Sequence, residues 1–207
     1  MRRRQATPGA SLISDPAAAT APEDARPQRD HSRGLLLVVF AVAVVVLTLD
    51  QVTKALAVAK LTEDQPKNLV GSALRLHLVR NAGAAFSTAT GMTWVLTVIA
   101  LVVVVVVIRV ASRLGSRIWA LTLGLLLGGA LGNLSDRMFR APGVARGHVV
   151  DFLEFPHWPI WNLADASIVS AGVLVVVLTL FGVGLEGDRA DHDGSDRDPT
   201  AGEGPDG

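Results

Sequence analysis

Four long apolar runs constrain this 207-residue chain more than any other feature of its sequence. They cover residues 34–49, 92–108, 118–131 and 168–183. Each is slightly short of the roughly 20 residues that a spanning helix needs, so flanking residues have to extend it. A helix packed on a soluble core carries a polar stripe along one side, and these runs carry none. The pattern therefore predicts an all-α membrane protein with four transmembrane helices in a single domain, residues 34–184.

The two ends of the chain differ from this domain in composition. Residues 1–33 and 185–207 are rich in Pro, Gly, Asp, Arg and Ala, and such segments bury too little apolar surface to order themselves. We interpret both as disordered tails. A cleaved secretory signal is the alternative for the first run. It fits poorly, because the leading region is too long and because Asp50 and Lys54 precede the small-residue stretch ALAVA.

Basic residues predict the orientation of the four spans. Arginines lie in the tail before the first span and in the short connection between the second and third: Arg26, Arg29, Arg33, Arg109, Arg113 and Arg117. The positive-inside rule makes both regions cytoplasmic. Both termini are then cytoplasmic, and two long loops, residues 51–91 and 134–162, form a small extracytoplasmic β and loop region. The formal net charge of zero gives no reason to expect a nucleic-acid partner.

This topology gathers the unusual polar residues at one membrane face, where a shared site is the default hypothesis for costly ionisable groups. The stretch LDQVTKALAVAK, from Leu49, is predicted to continue the first helix into the membrane interface. Within it, Asp50 and Lys54 are four residues apart, acid first, which favours an ion pair on one helix face. A helix-end ion pair with no further role is the alternative for these two residues. The stretch ALRLHLVRN alternates apolar and polar residues, which predicts a half-buried strand leading to Asn81 in NAGAAFS.

The third run ends in GNLSDR, after glycines at four-residue spacing that predict tight packing against another helix: Gly124, Gly128 and Gly132. Asn133 follows this face directly. Asp136 stands beside Arg137, and a neighbouring guanidinium favours the ionised carboxylate. We therefore interpret Asp136 and Arg137 as an orienting ion pair.

Two aspartates remain without an adjacent cation. Asp151 lies between Val150 and Phe152 in HVVDFLEF, and Asp165 follows Asn162 in WNLADASI. Asn162 and Asp165 also have the spacing of a helix N-terminal capping box, which is compatible with catalysis. Desolvation would raise the pKa of both acids, and proximity would let them share one proton, as in an aspartic protease. Glu154 is interpreted as a solvated loop acid.

Other chemistries have little support in the sequence. The chain has no cysteine, which excludes disulfides, thiolate metal sites and a cysteine nucleophile. Its five histidines form no HExxH motif, and the sequence contains neither a GxSxG elbow nor a Walker-type phosphate loop.

The motifs DQVTK, NAGAAFS, GGALGNLSDR, GHVVDF and WNLAD occur in the order typical of lipoprotein signal peptidases, the signal peptidase II family. The chain resembles this family over about residues 34–184. The resemblance implies a bacterial membrane aspartic endopeptidase that needs no metal or organic cofactor. It implies diacylglyceryl-modified prolipoproteins as substrates, cut before the lipidated cysteine, and globomycin-type inhibitors. It also places the enzyme in the bacterial cell membrane with an extracytoplasmic site, and we expect a monomer.

The same resemblance assigns roles to the residues that match the family's motifs. It implies Asp151 and Asp165 as the catalytic pair. It implies substrate-binding or orienting roles for Asn81, Asn133, Asp136, Arg137 and Asn162, and supporting roles for Asp50 and Lys54. The sequence departs from the family in Trp161, which replaces the usual Phe. It also departs in the segment MFRAPGVAR, which is longer than in many members.

Three rival functions can be weighed against the residues. A proton-coupled transporter would place acids in the middle of the spans, and these spans have none there. A presenilin-like protease would carry a GxGD signature, which is absent. A non-enzymatic scaffold with the same fold predicts no cleavage in reconstituted membranes.

Overall fold

The computed structural model describes residues 27–83 and 93–186, with side chains from residue 33 onward. Four helices form the bundle: α1 (Pro27–Lys60), α2 (Thr93–Ala111), α3 (Arg117–Phe139) and α4 (Leu163–Leu180). Three short strands complete the fold: β1 (Lys67–Val70), β2 (Leu74–Asn81) and β3 (Val149–Glu154). All four helices are long and apolar enough to cross a membrane. The predicted membrane fold with four spans and a small β region is confirmed.

Helix α3 packs against the other three helices, and its glycines make the close approach to α1 possible. A methyl group added at Gly124 or Gly128 would lie only 2.7 Å from Val42 Cβ or 2.6 Å from Val46 Cβ. The predicted glycine face is therefore confirmed as a packing face. Since the third glycine, Gly132, lies near the β-sheet end of the same face, this packing brings α1 and α3 together where their polar residues lie.

The ends of the helices differ from the predicted runs in ways that matter for the site. Helix α1 continues through Lys60, which confirms the predicted continuation of the first helix through LDQVTKALAVAK. Helix α3 continues through Phe139, so residues 134–139 are helical rather than part of the expected second loop. Helix α4 begins at Leu163, five residues before the apolar run. Polar residues at these ends are tolerated because their partners lie on neighbouring helices. The key acids therefore lie on rigid elements.

The structure describes a few residues of each expected tail. Helix α1 begins at Pro27, within the expected first tail, and the backbone N–H of Gly115 donates to the Leu185 carbonyl, 2.9 Å away. The start of the expected second tail is thus held against the connection between α2 and α3. The remaining tail residues, 1–26 and 187–207, lie outside the described residues, as does most of the NAGAAFS motif after Gly83.

The strands form an antiparallel sheet in the order β1-β2-β3. The alternating stretch predicted as a strand is confirmed as β2, which pairs with β3 so that Val79 lies opposite Asp151. One side of the sheet packs on α1 through a small apolar cluster that includes Ala57, Leu78 and Val150. Asp151 was expected in a loop. It lies in a strand, because its apolar neighbours on both sides suit a sheet that is buried on one face.

Candidate active site

Lys54 lies at the centre of a buried charge cluster at the sheet end of the bundle. Its ammonium group is 2.8 Å from Asp50 Oδ2 and 2.9 Å from Asp136 Oδ2, and all three side chains are fully buried. The i, i+4 pair expected within α1 is confirmed, but it also joins α1 to α3. The alternative of a helix-end ion pair with no further role does not describe a lysine bound to two carboxylates.

Asp136 makes different partners from those expected. Its Oδ1 accepts a hydrogen bond from Arg140 Nε at 2.6 Å, and its Oδ2 accepts one from the Val150 backbone N–H at 3.2 Å. Arg137 is not among its ion-pair partners in the described part of the chain. The reason is geometric: adjacent residues of a helix point about 100° apart, whereas residues four apart share a face. Asp136 therefore ties α3 to α1 and to the start of β3.

Arg137 is buried beside the candidate catalytic acids instead. The charges of Asp151, Asp165 and Asp136 all act on its guanidinium group. Its Nη1 is buried and has no hydrogen-bond partner among the described residues. The arginine can thus donate a hydrogen bond to a negatively charged oxygen that develops beside the two acids during a reaction.

Two asparagines, Asn133 and Asn162, lie between the Lys54 cluster and the two candidate catalytic acids. Asn133 Oδ1 accepts from Lys54 Nζ at 3.1 Å, and an ammonium group can only donate. The amide nitrogen of Asn133 must therefore point the other way, where it donates to Asp165 Oδ1 at 2.7 Å. Lys54 consequently fixes how Asn133 holds Asp165.

Asn162 links the two candidate catalytic acids. Its Oδ1 accepts from the Asp165 backbone N–H at 3.0 Å, and its own backbone N–H donates to Asp165 Oδ2 at 3.2 Å. These two bonds are the predicted capping box of α4, which is confirmed. The Asn162 amide nitrogen donates to Asp151 Oδ1 at 2.6 Å. One fully buried side chain therefore caps a helix and positions both acids.

Asp151 reaches this cluster from β3, and a second amide holds its other oxygen. Asn81 Nδ2, at the end of β2, donates to Asp151 Oδ2 at 2.8 Å. Burial raises the pKa of the Asp151 carboxyl to about 6, and the charge of Asp165 adds to the rise, while the Asn81 and Asn162 amides oppose it. A carboxyl with this pKa can both accept and return a proton near neutral pH.

Asp50 holds the start of α4, the helix that carries Asp165. Its Oδ1 accepts from the Ala164 backbone N–H at 2.9 Å, so it satisfies one of the free N–H groups in the first turn of that helix. Gly132 leaves room for this carboxylate, since an added Cβ would lie 2.6 Å from Asp50 Oδ2. The expected supporting role of Asp50 thus acquires a specific contact.

Glu154 is not the solvated loop acid that its sequence suggested. It lies at the end of β3, opposite Arg75 of β2, and its side chain is 16% exposed. Its oxygens pair with Arg75 Nη2 at 2.5 Å and contact His77 Nδ1 at 3.1 Å. The cross-strand register explains the difference, because the partners are remote in sequence and adjacent across the sheet.

Two residues of the cluster were missed from the sequence. Gln51 donates to the Gly132 carbonyl at 3.2 Å and to Asp50 Oδ2 at 3.1 Å, which bridges α1 and α3. Arg140, which directly follows α3, forms an ion pair with Asp136 four residues earlier. The i, i+4 spacing of Asp136 and Arg140, acid first, was a usable signal for the second of these.

The arrangement suits hydrolysis by two carboxyl groups. Asp151 and Asp165 are each held by amide donors, interact electrostatically, and share Asn162. Asp50 and Asp136 instead contact cations directly. Asp151 and Asp165 are therefore the pair whose mutual repulsion one shared proton would reduce.

Comparison with known proteins gives one consistent family. A family model described as signal peptidase (SPase) II matches residues 42–181. The lipoprotein signal peptidase of Mycobacterium avium (strain 104) is 52% identical over 171 residues, which cover 83% of this chain and 91% of the relative. That of Rhodococcus jostii (strain RHA1) is 53% identical over 159 residues, which cover 77% of this chain and 79% of the relative. A solved bacterial membrane enzyme is similar in structure, with a TM-score of 0.62 at 26% identity. The match covers 69% of this chain and 92% of that one.

Proposed function

Since the chain belongs to the signal peptidase II family of peptidases, we propose that it removes signal peptides from diacylglyceryl-modified prolipoproteins by cutting before the lipidated cysteine. The proposal includes the bacterial inner membrane as its location, a site on the extracytoplasmic side, both termini in the cytoplasm, and a monomeric enzyme. Globomycin-type compounds would inhibit it. The observation that carries the proposal is the pair of acids, Asp151 and Asp165, joined through Asn162.

In the proposed mechanism, one acid of the pair is ionised and the other is protonated. The ionised carboxylate takes a proton from water, and the water oxygen attacks the scissile carbonyl carbon, which the protonated acid polarises. The roles then reverse, and a proton passes to the departing amine. Asn133 and Asn162 keep the carboxyl groups in place, which supports a short proton path. The unpaired Nη1 of Arg137 supplies a donor for the tetrahedral intermediate.

The test uses purified protein reconstituted into lipid vesicles with a diacylglyceryl-modified prolipoprotein. Asp151→Asn and Asp165→Asn should each lower the cleavage rate by about 10²–10⁴-fold, the usual contribution of a positioned acid or base. Asp64→Asn is the matched control, because Asp64 is 84% exposed and has a positive φ of 58° that asparagine tolerates.

The outcomes separate the rival functions. Cleavage by the wild type and the control, with loss in both dyad variants, supports the proposal. A near-normal rate in either dyad variant would overturn the assignment of the pair. No cleavage by the wild type would instead favour a scaffold that keeps the fold.

A further inference from the structure

A cavity of about 720 Å³ lies between α4 and the segment that joins β3 to α4. Phe155, Trp158 and Trp161 form its wall on the segment side, and Asp165, Val169 and Ser170 line it on the helix side. Its volume is in the range of about 300–1,000 Å³ typical of small-molecule sites. We propose that it holds an acyl chain of the lipid-modified substrate, an assignment that rests on the proposed function.

The cavity is continuous with the membrane-facing side of α4. Val169 is 65% exposed and Val173, one turn further along, is 57% exposed, on a helix apolar enough to span a membrane. Trp158 is 74% exposed, and Phe155 stacks on Trp161 with ring centroids 5.7 Å apart. Aromatic side chains of this kind collect at the membrane–water boundary. A hydrocarbon chain can therefore pass from the lipid into the cavity without crossing water.

The polar groups of the wall favour a hydrocarbon occupant over a peptide. The backbones of Leu153 and Trp161 already bond each other in both directions, at 2.9 and 3.0 Å, and Trp158 N–H donates to the Phe155 carbonyl. Pro156 and Pro159 have no N–H to offer. A peptide main chain beside this wall would leave its own amides unpaired, at a cost that an acyl chain does not carry.

The cavity also reaches one acid of the proposed pair, because Asp165 lines it. In the proposed reaction the scissile bond precedes the lipidated cysteine, so an acyl chain in the cavity would place that bond beside the acid. Since a chain leaving the surrounding lipid gains no hydrophobic free energy by entering, the cavity acts through packing and alignment. A chain too short to reach it should therefore be cleaved less efficiently.

The experiment compares kcat/KM for prolipoprotein substrates that carry long, palmitoyl-type chains with those that carry short, octanoyl-type chains, in the same detergent micelles. The wild type should prefer the long-chain substrate. Val169→Trp fills the cavity and should lower the long-to-short ratio by about 10-fold to 10²-fold, since a misplacement of about 1 Å can cost about 10²-fold in rate. Trp158→Ser removes an exposed part of the wall and should lower the same ratio. Because Trp158 is exposed, this substitution leaves the packing of the core unchanged.

Val102→Trp is the matched control, since Val102 is 54% exposed on α2 and does not line the cavity. This variant should keep the wild-type ratio of kcat/KM values. Any effect of substrate partitioning into the micelles is the same for all variants and cancels when their ratios are compared. A wild-type ratio in both Val169→Trp and Trp158→Ser overturns the acyl-chain site while the wild type still cleaves, so the proposed function stands. Failure of the wild type to cleave either substrate would overturn the proposed function itself.

Discussion

Replacement of Lys54 by methionine tests whether the buried charge cluster holds the bundle together. The change keeps the approximate length of the side chain and removes its charge. Asp50 and Asp136 would then lie buried on either side of an apolar group, with Gln51 donating weakly to both. Arg140 would remain as the one direct ion-pair partner of Asp136 among the described residues.

The expected loss of stability can be worked out from the distances of Lys54 Nζ to Asp50 Oδ2, 2.8 Å, and to Asp136 Oδ2, 2.9 Å. At an effective dielectric constant of about 20, each pair is attractive by about 6 kcal/mol before desolvation is counted. The cost of burying the ammonium group offsets much of this attraction, and breaking a buried pair typically lowers the free energy of unfolding by about 3–5 kcal/mol. We expect a loss in that range for Lys54→Met.

The assay is reversible unfolding in mixed detergent and SDS micelles, followed by circular dichroism. Lys60→Met is the matched control, because Lys60 lies on the same helix and is exposed. Its effect should be within about 0.5 kcal/mol of zero, as for surface changes generally. The double variant Lys54→Met with Asp50→Asn removes one of the stranded charges. It should be more stable than Lys54→Met alone.

Two results would refute the reasoning. If Lys54→Met and Lys60→Met unfold at the same SDS fraction, the cluster does not stabilise the bundle. If the free-energy losses of Lys54→Met and Asp50→Asn simply add in the double variant, the two side chains are not coupled as their contact requires.

Three further predictions concern single side chains of the site. Folding raises the pKa of Asp151 from 3.8 to about 6, so the stability that its protonated form contributes is complete below pH 3.8 and is lost as the pH rises to about 6. The unfolding free energy of Asp151→Asn should therefore increase relative to that of the wild type by up to about 3 kcal/mol between pH 4 and pH 8. A difference in unfolding free energy that stays constant over this pH range would contradict this prediction. Gly132→Ala should lower the unfolding free energy by about 1–3 kcal/mol, because its methyl group would collide with Asp50, whereas Gly172→Ala, with open space around it, should be neutral or stabilising; equal effects would exclude the proposed collision. Asn162→Ser keeps a capping oxygen and should be about 1 kcal/mol more stable than Asn162→Ala, since both variants lose the bond to Asp151 and only the serine retains the cap. Both Asn162 variants should lose cleavage activity alike, because neither keeps the amide group that donates to Asp151, and full activity in the serine variant would show that capping is the main role.

The helices could be predicted from the sequence because apolar length alone decides which segments can span a membrane. The continuation of α1 through LDQVTKALAVAK could also be predicted, whereas the end of α3 could not, because it depends on partners elsewhere. Residues 134–139 look like the start of a polar loop, yet Asp136 finds Lys54 on α1 and the helix continues. That pairing follows from the glycine face, whose sequence signal predicts close packing but not which helix packs there.

The errors within the site have a common physical origin. Sequence neighbours alone predict that Asp136 pairs with Arg137 and that Glu154 is exposed to solvent, and both predictions are wrong. In a helix the relevant neighbour is four residues away, and in a sheet it lies across the ladder, so Arg140 and Arg75 are the actual partners. The capping box and the Asp50–Lys54 pair were predicted correctly because their geometry is local to one helix.

The four acids of the cluster differ in the kind of group that holds them, and this difference bears on which of them can react. Asp50 and Asp136 contact Lys54 or Arg140 directly, so adding a proton to either would remove an attraction that the fold already uses. Asp151 and Asp165 receive hydrogen bonds from the amides of Asn81, Asn133 and Asn162, which orient a carboxylate without cancelling its charge. Two such carboxylates that share a partner and repel each other gain most from one shared proton. The amide-held pair is therefore the pair suited to acid–base exchange, and the cation-held pair is suited to keeping it in place.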